Sequence, residues 1–351
     1  MTGGGSLELP HKPGTPAIIL CHGAFDEPHG KTAHGLLRFG RIYDIVAVID
    51  RELAGKTAQD VDPDFPPVPI LRSVSEALEE LDPEVLLIGA APPGGKLTPE
   101  WKEEIIEAVQ AGLDVVSGLH EFLSKDPDIS EAAEESGSRL IDVRKPRKEL
   151  FRVADGSARD VDATVVLTAG TDCAVGKMSA AIELVERLRE EGVEAAFLAT
   201  GQTSIMIGAE DGVVVDRMPG DFMAGAIEEL VVRLAEDHEI VVVEGQGALS
   251  HPAYSGVTLA ILHGAWPDAV VLVHDPVREV RDGFPRFRVP DPRTEVTLIE
   301  SLSAAEIVSV VLRTWDERLA EKLSSEGYLV ERLGDLRRTV DRVLEIHRMG
   351  R

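Results

Sequence analysis

Apolar runs of strand length alternate with amphipathic helical stretches along the whole chain. In the first half, runs at Ala17–Cys21, Ile42–Ile49, Val85–Ala90, Asp114–Ser117 and Arg139–Asp142 predict strands. Helical spacing lies between them at Ser73–Leu81 and Pro99–Ala111. The second half repeats the scheme, with strands at Thr164–Ala169, Ala195–Ala199, Ile240–Glu244, Ala269–His274 and Glu306–Leu312. Its helices fall at Lys177–Glu191, Asp221–Ala235 and Leu336–His347. The strands are near-continuous Val, Ile and Leu, as parallel strands covered on both faces require. Such alternation implies right-handed βαβ units and an α/β fold with two doubly wound parallel sheets.

A length of 351 residues accommodates two domains of ordinary size. The expected division is a loose tail at 1–15, a Rossmann-like domain at 16–150 and a P-loop domain at 151–351. Between the domains, Val143–Asp162 is polar, strand-poor and basic, with Arg144, Lys145, Arg147, Lys148 and Arg152. Those cations either meet an anionic ligand or pair with acidic helices. The stripe Leu336, Val340, Val343 and Leu344 on the last helix is suited to core or to an interface.

Net charge changes the picture mainly by exclusion. At -26, with 10 Lys against 26 Arg, the surface repels nucleic acid and anionic membranes. The acids are dispersed over the helices, a pattern suited to solubility or to a salty, halophile-like cytosol. No apolar run reaches membrane-spanning length, and the first twenty residues lack a signal-peptide layout, so a cytoplasmic location is expected. Two cysteines, Cys21 and Cys173, cannot build a disulfide framework or a zinc cluster.

The chemistry concentrates in Thr164–Ser179, TVVLTAGTDCAVGKMS. An apolar strand leads into Gly170, Thr171, Asp172, Cys173, Ala174, Val175, Gly176 and Lys177, and a helix follows. Loop amides and a helix N-terminus converging on one point bind an anion, and Lys177 adds a charge. Thr171 stands where the first glycine of a P-loop belongs, and the GTD-x-x-x-GK form resembles the dethiobiotin synthetase branch. Met178 replaces the usual magnesium-binding Ser or Thr, and Ser179 points about 100° further round the helix. No metal site is assigned, although Glu244 ends a buried strand where it could meet a metal, cap a loop or pair with Lys177.

Other strand-end residues supply the remaining candidates. His251, in EGQGALSHP, is the candidate general base, with Glu244 the alternative. Gln202 and Gln246 are amide candidates, and His274-Asp275 closes a further strand. In the first domain Gly30-Lys31-Thr32 ends like a second P-loop, but Phe25 occupies the glycine position and Asp26 and Glu27 repel phosphate. Lys31, Arg38 and Lys96 are cation candidates for a carboxylate. No GxGxxG fingerprint is present, which argues against a dinucleotide.

GTDCAVGKMS, ATGQTSIMI, GDFMAGAIEE, EGQGALSHPAYSGVTLAILHG, KTAHGLLR, IGAAPPGGKL and GLDVVSGLHEFL together resemble the DgcN-type D-glutamate N-acetyltransferases, from about Ala17 to Arg338. The resemblance implies acetyl transfer from acetyl-CoA to the amino group of D-glutamate. Gly170–Ser179 would hold CoA phosphate, His251 or Glu244 would act as base, and Gln202 or Gln246 would orient the acetyl carbonyl. Lys31, Arg38 or Lys96 would hold the substrate carboxylates. It also implies a homo-oligomer acting on small molecules. The competing expectations are an ATP- and magnesium-dependent ligase or kinase similar to dethiobiotin synthetase, and a nucleotide-responsive regulator without turnover.

Overall fold

The structure is a computed structural model that describes residues 9–90 and 97–350. Contacts divide the chain into two units. Among the described residues, one comprises those from 9 to 146 together with Gln202–Gly208; the other comprises Arg147–Gly201 and those from 209 to 350.

The first unit runs β1 (Thr15–Leu20), α1 (Lys31–Phe39), β2 (Tyr43–Ile49), β3 (Ile70–Leu71), α2 (Val74–Glu80), β4 (Val85–Ile88), α3 (Pro99–Gln110), β5 (Asp114–Ser117), α4 (Pro127–Ser136) and β6 (Leu140–Asp142). The strands form one parallel sheet in the order β3-β2-β1-β4-β5-β6. That is the Rossmann order, with its switch point between β1 and β4. Ala17, Ile18, Ile19 and Leu20 are fully buried, as a central strand covered on both faces requires. Helix starts obey local rules: Ser73, Thr98 and Asp126 each accept a backbone N–H in the first turn of α2, α3 and α4.

The second unit runs β7 (Thr164–Gly170), α5 (Lys177–Glu190) and β8 (Ala195–Ala199), after which α6 (Gln202–Ile207) belongs to the first unit. It continues with β9 (Asp211–Gly212), α7 (Gly220–Ala235), β10 (Ile240–Glu244), α8 (Ser255–Ala265) and β11 (Ala269–His274). A hairpin, β12 (Val280–Arg281) and β13 (Phe284–Arg288), precedes α9 (Pro292–Leu302), β14 (Glu306–Leu312), α10 (Glu317–Ser325), β15 (Val330–Arg332) and α11 (Arg337–Met349). The main sheet is parallel in the order β15-β14-β11-β7-β10-β8-β9. Its successive strands lie to either side of β7, so the carboxyl end of β7 is the switch point where such sheets take ligands. Both sheets are the doubly wound parallel sheets that the apolar pattern predicts.

Two expectations change in detail. The stretch after β8, read as a loop, is helical over Gln202–Ile207. It packs within the first unit, where the Thr203 and Thr32 hydroxyls meet at 2.9 Å and Arg41 N–H donates to the Ile207 carbonyl at 3.0 Å. The hairpin after β11 is not legible in the sequence, because its short, Arg-rich strands lack a continuous apolar run. The α11 stripe is core: Leu336, Val340, Val343 and Leu344 are all buried within one chain.

The basic segment from Arg147 to Asp160 is fastened by its polar groups. Arg147 donates to Asp211 at 2.7 Å and to the Gly212 carbonyl at 3.0 Å. Arg152 pairs with Glu229, and the buried Glu228 accepts the N–H groups of Asp155 and Gly156. These cations therefore meet protein partners. Among the described residues no helix is long and apolar enough to cross a membrane.

Candidate functional site: a phosphate-type loop held by arginines

β7 delivers the loop Gly170–Lys177 at the switch point, and α5 starts at Lys177. Gly176 is the N-cap of α5 and carries no side chain to cap the helix's first amides. Its φ of 109° demands glycine, and a Cβ there would lie 2.9 Å from Leu333 Cδ2. Ala174 also adopts a positive φ, 52°, which a non-glycine residue accepts only when its surroundings hold it there.

The loop's carbonyls explain that hold. Four consecutive ones accept from cationic side chains. Arg281 Nη1 donates to the Thr171 oxygen at 3.1 Å and Lys177 Nζ to the Asp172 oxygen at 2.6 Å. Arg278 Nη1 donates to the Cys173 oxygen at 3.1 Å and Arg313 Nη1 to the Ala174 oxygen at 2.7 Å. Arg278 and Arg281 follow β11, and Arg313 follows β14. The Thr171 hydroxyl meets His274 Nδ1 at 2.8 Å, which ties the loop to the end of β11 as well.

Lys177 is buried, and loss of water lowers its pKa from the usual lysine range, while Cys173, Asp172, Glu244 and Glu295 oppose that. A second hydrogen bond, to the Gly247 carbonyl at 3.0 Å, completes its contacts. Hydrogen bonds to a charged group return about 1.5–3 kcal/mol each. Burying an ammonium costs several kcal/mol, so the nearby negative charges are needed, and an anion entering the loop would add to them.

Asp172 is fully buried. It accepts the Asp282 N–H at 3.0 Å and lies 3.5 Å from Arg281, 3.6 Å from Arg278 and 3.6 Å from His251 Nε2. His251 is fully buried against Tyr254 and Phe284, with ring centroids at 4.7 and 4.9 Å. Its Nδ1 accepts the N–H groups of Ala253 and Tyr254 at 3.1 and 3.3 Å. The neutral ring's proton therefore sits on Nε2, a nitrogen that has no hydrogen-bond partner. Burial and then Arg281 lower the ring's pKa, with Asp172 opposing, which favours the neutral ring. This geometry corrects the expected general base: neither ring nitrogen offers a spare lone pair, and Nε2–H is a donor.

Asp172, Cys173 and His251 bring ligand-type atoms within 4.8 Å of one another. The set does not suit a cation. Two guanidiniums already face Asp172, and a metal at Nε2 would need a ring whose proton has left while Nδ1 still accepts two N–H bonds.

Glu244 ends β10 beside β7, yet its Oε2 accepts the Thr200 N–H at 3.0 Å. Gln246 Nε2 donates to the Thr200 carbonyl at 2.7 Å. Both side chains thus brace the turn after β8. Gly245 approaches so closely that a Cβ would overlap the Thr168 carbonyl. Met178 and Ser179 lie half-buried on the first turn of α5, and Val175 is fully buried beneath the loop.

The other candidates do not join this cluster. In the first unit, Gln202 Oε1 accepts from Arg144 at 2.9 Å, and Arg144 Nε donates to the Gly118 carbonyl at 2.6 Å. Lys31 is exposed at the start of α1. Arg38 pairs with Asp62 and lies 4.7 Å over the Phe65 ring. Lys96 lies outside the described residues. Cys21 is fully buried, and burial raises its thiol pKa far above the usual value, which makes it inert.

The residues missed from sequence are Arg278, Arg281 and Arg313, with Glu295, which accepts the N–H groups of Leu249 and Ser250 at 2.9 and 3.0 Å. The signal for Arg278 and Arg281 was present: VREVRDGFPRFR is an arginine-rich run in a strongly acidic chain, shortly after a strand end.

A parallel α/β unit with a glycine-capped anion loop at its switch point, joined to a Rossmann-ordered unit, is a two-domain P-loop protein. Comparison with known families agrees. Residues 152–343 match "Domain of unknown function (DUF1611_C) P-loop domain", and residues 51–146 match "Domain of unknown function (DUF1611_N) Rossmann-like domain". The chain belongs to this DUF1611 family.

A DUF1611 family protein from Anabaena variabilis ATCC 29413 has a crystal structure similar to this one. Its TM-score is 0.87 at 35% identity, covering 94% of this chain and 99% of that one. Among curated proteins, a D-glutamate N-acetyltransferase of Tritonibacter scottomollicae is 44% identical over 207 residues, 59% of this chain. The match spans 61% of that relative's length. A D-glutamate N-acetyltransferase of a Pseudoalteromonas species is 35% identical over 237 residues, 68% of this chain and 69% of the relative.

Proposed function

We propose that this protein transfers the acetyl group of acetyl-CoA to the amino group of D-glutamate, and that the loop Gly170–Lys177 cradles the phosphates of CoA. The observation that carries the reading is the similarity to two proteins named D-glutamate N-acetyltransferase, one of them matched over about two thirds of both chains. The loop supports the second part: its helix has a glycine N-cap, and its buried lysine donates to the Asp172 and Gly247 carbonyls. Acetyl-CoA would supply the activated acyl group.

Phosphate oxygens in the loop would accept from the first amides of α5 and from Lys177 Nζ, which would leave its carbonyl partners for the anion. His251 Nε2–H, 3.6 Å from Asp172, is a further donor at the loop wall. No step at the loop requires a phosphoanhydride to break. Met178 offers only a weak thioether acceptor at the usual metal-ligand position, and the Glu244 carboxylate is engaged by Thr200.

CoA's phosphates and its thioester are separated by the whole pantetheine arm. With phosphate in the loop, acyl transfer takes place well away from His251. The base that deprotonates the D-glutamate ammonium is then neither His251 nor Glu244. His251 serves instead as a donor at the loop wall, and Glu244 braces the turn after β8 through Thr200.

The test mixes the purified full chain with acetyl-CoA and D-glutamate, follows thiol release, and identifies the acetylated product by mass spectrometry. L-Glutamate and ATP run as parallel arms. Thiol release dependent on D-glutamate is the expected result. Glutamate-dependent ADP formation without thiol release would replace the reading with an ATP-dependent ligase or kinase.

A further inference from the structure

We propose that Arg278, Arg281 and Arg313 are positioning residues for the bound anion. They grip the outer carbonyls of the loop and so aim its amides, without touching the anion themselves. The inference rests on reading Gly170–Lys177 as a phosphate cradle.

In a trans peptide the C=O and the following N–H lie in one plane and point in opposite directions. Fixing a carbonyl therefore fixes the next amide. Arg281 on the Thr171 oxygen orients the N–H of Asp172, Arg278 on the Cys173 oxygen orients that of Ala174, and Arg313 on the Ala174 oxygen orients that of Val175. Each bond is charge-assisted, the strong kind. Together they span the stretch that contains the strained Ala174.

The arginines are themselves held. Arg281 is buried, and its Nη2 donates to the Ser250 hydroxyl at 2.6 Å. Asp172 lies 3.5 Å from Arg281 and 3.6 Å from Arg278, and Asp275 lies 3.7 Å from Arg313. Convergence of three guanidiniums on four residues, from segments after two different strands, is unexpected in a chain of net charge -26. Anchoring of the hairpin alone does not account for Arg313, which lies after β14 and holds the Ala174 carbonyl next to the one held by Arg278.

The alternative role is purely structural: the arginines pin β12 and β13 to the body of the unit. The two roles separate in experiment. CoA and inorganic pyrophosphate are titrated calorimetrically, at fixed ionic strength, into wild type, Arg278→Ala, Arg313→Ala and Arg281→Lys. Hydrogen exchange of the peptide covering the loop is measured on the same unliganded proteins, together with their melting temperatures.

Positioning predicts about tenfold weaker binding of both probes to Arg278→Ala and to Arg313→Ala, with faster exchange of the loop amides and little change in melting. Arg281→Lys keeps the charge but loses the fork, so it also binds more weakly. The side chains of Arg278 and Arg313 are 21% and 46% exposed, so these two variants decide the matter if the buried position fails to fold. Unchanged affinity and unchanged loop exchange in both, with wild type binding, overturns the positioning role alone. Wild type binding neither probe overturns the cradle and the positioning role with it.

Discussion

Each unit has a glycine-and-lysine turn at the carboxyl end of its first strand, and the two turns are wired in opposite ways. After β1, the amides are spent internally: Ala24 N–H donates to Cys21, Glu27 to Ala24 and Gly30 to Glu27, at 3.0 to 3.1 Å. Phe25 N–H turns to Asp50 at 3.4 Å, and Lys31 is exposed. After β7 it is the carbonyls that are engaged, by Arg281, Lys177, Arg278 and Arg313, and the lysine is buried. The difference teaches that a Gly-Lys ending does not make an anion site. What matters is whether the turn's donors or its acceptors are already satisfied.

The largest effect on binding should come from Lys177. Lys177→Ala is expected to weaken CoA binding by about a hundredfold, whereas Lys31→Ala leaves it unchanged, as read by calorimetry. Equal losses in both would erase the contrast between the turns.

Next come the two buried acids. Asp172→Ala leaves Arg281 buried without its counter-ion and should cost about 3 kcal/mol in denaturant unfolding. Asp50→Ala removes a carboxylate whose partners are the N–H groups of Phe25 and Glu52, a loss of about 1–2 kcal/mol. A reversed order would show that Asp172 is not the charge anchor of the loop.

A smaller change is expected from Gly176→Ala. Strain at positive φ costs about 1–2 kcal/mol, and the added methyl must displace Leu333, so phosphate binding should fall with stability. Full binding by this variant would mean that the helix start is not the anion's seat.

The smallest effect is on pH dependence. Burial lowers the pKa of His251 below its ordinary 6.5, so the folded ring stays neutral while the unfolded ring takes a proton as pH falls. Its contribution to stability is therefore complete above about 6.5 and is lost as pH falls toward the folded value. His274 is lowered by burial in the same sense. His251→Asn supplies an acceptor for Ala253 and Tyr254 without titrating. Its melting temperature should fall less steeply than that of wild type between pH 6.5 and 5. Parallel curves would show that the ring does not titrate on unfolding.

Much of this protein is written locally. Strands such as Thr164–Gly170 and Ile240–Glu244 are legible because a strand buried on both faces must be apolar throughout. The alternation of β and α then dictates parallel sheets, and Gly176-Lys177 after such a strand marks the loop. What only the tertiary structure decided are relations between groups far apart in sequence. It spent the lone pair of His251 on backbone amides and set Glu244 on Thr200. It sent Gln202 into the first unit, beside Arg144. Above all it brought Arg278, Arg281 and Arg313 back onto the loop across more than a hundred residues. A hydrogen bond depends on distance and direction, and no periodicity in the sequence records either.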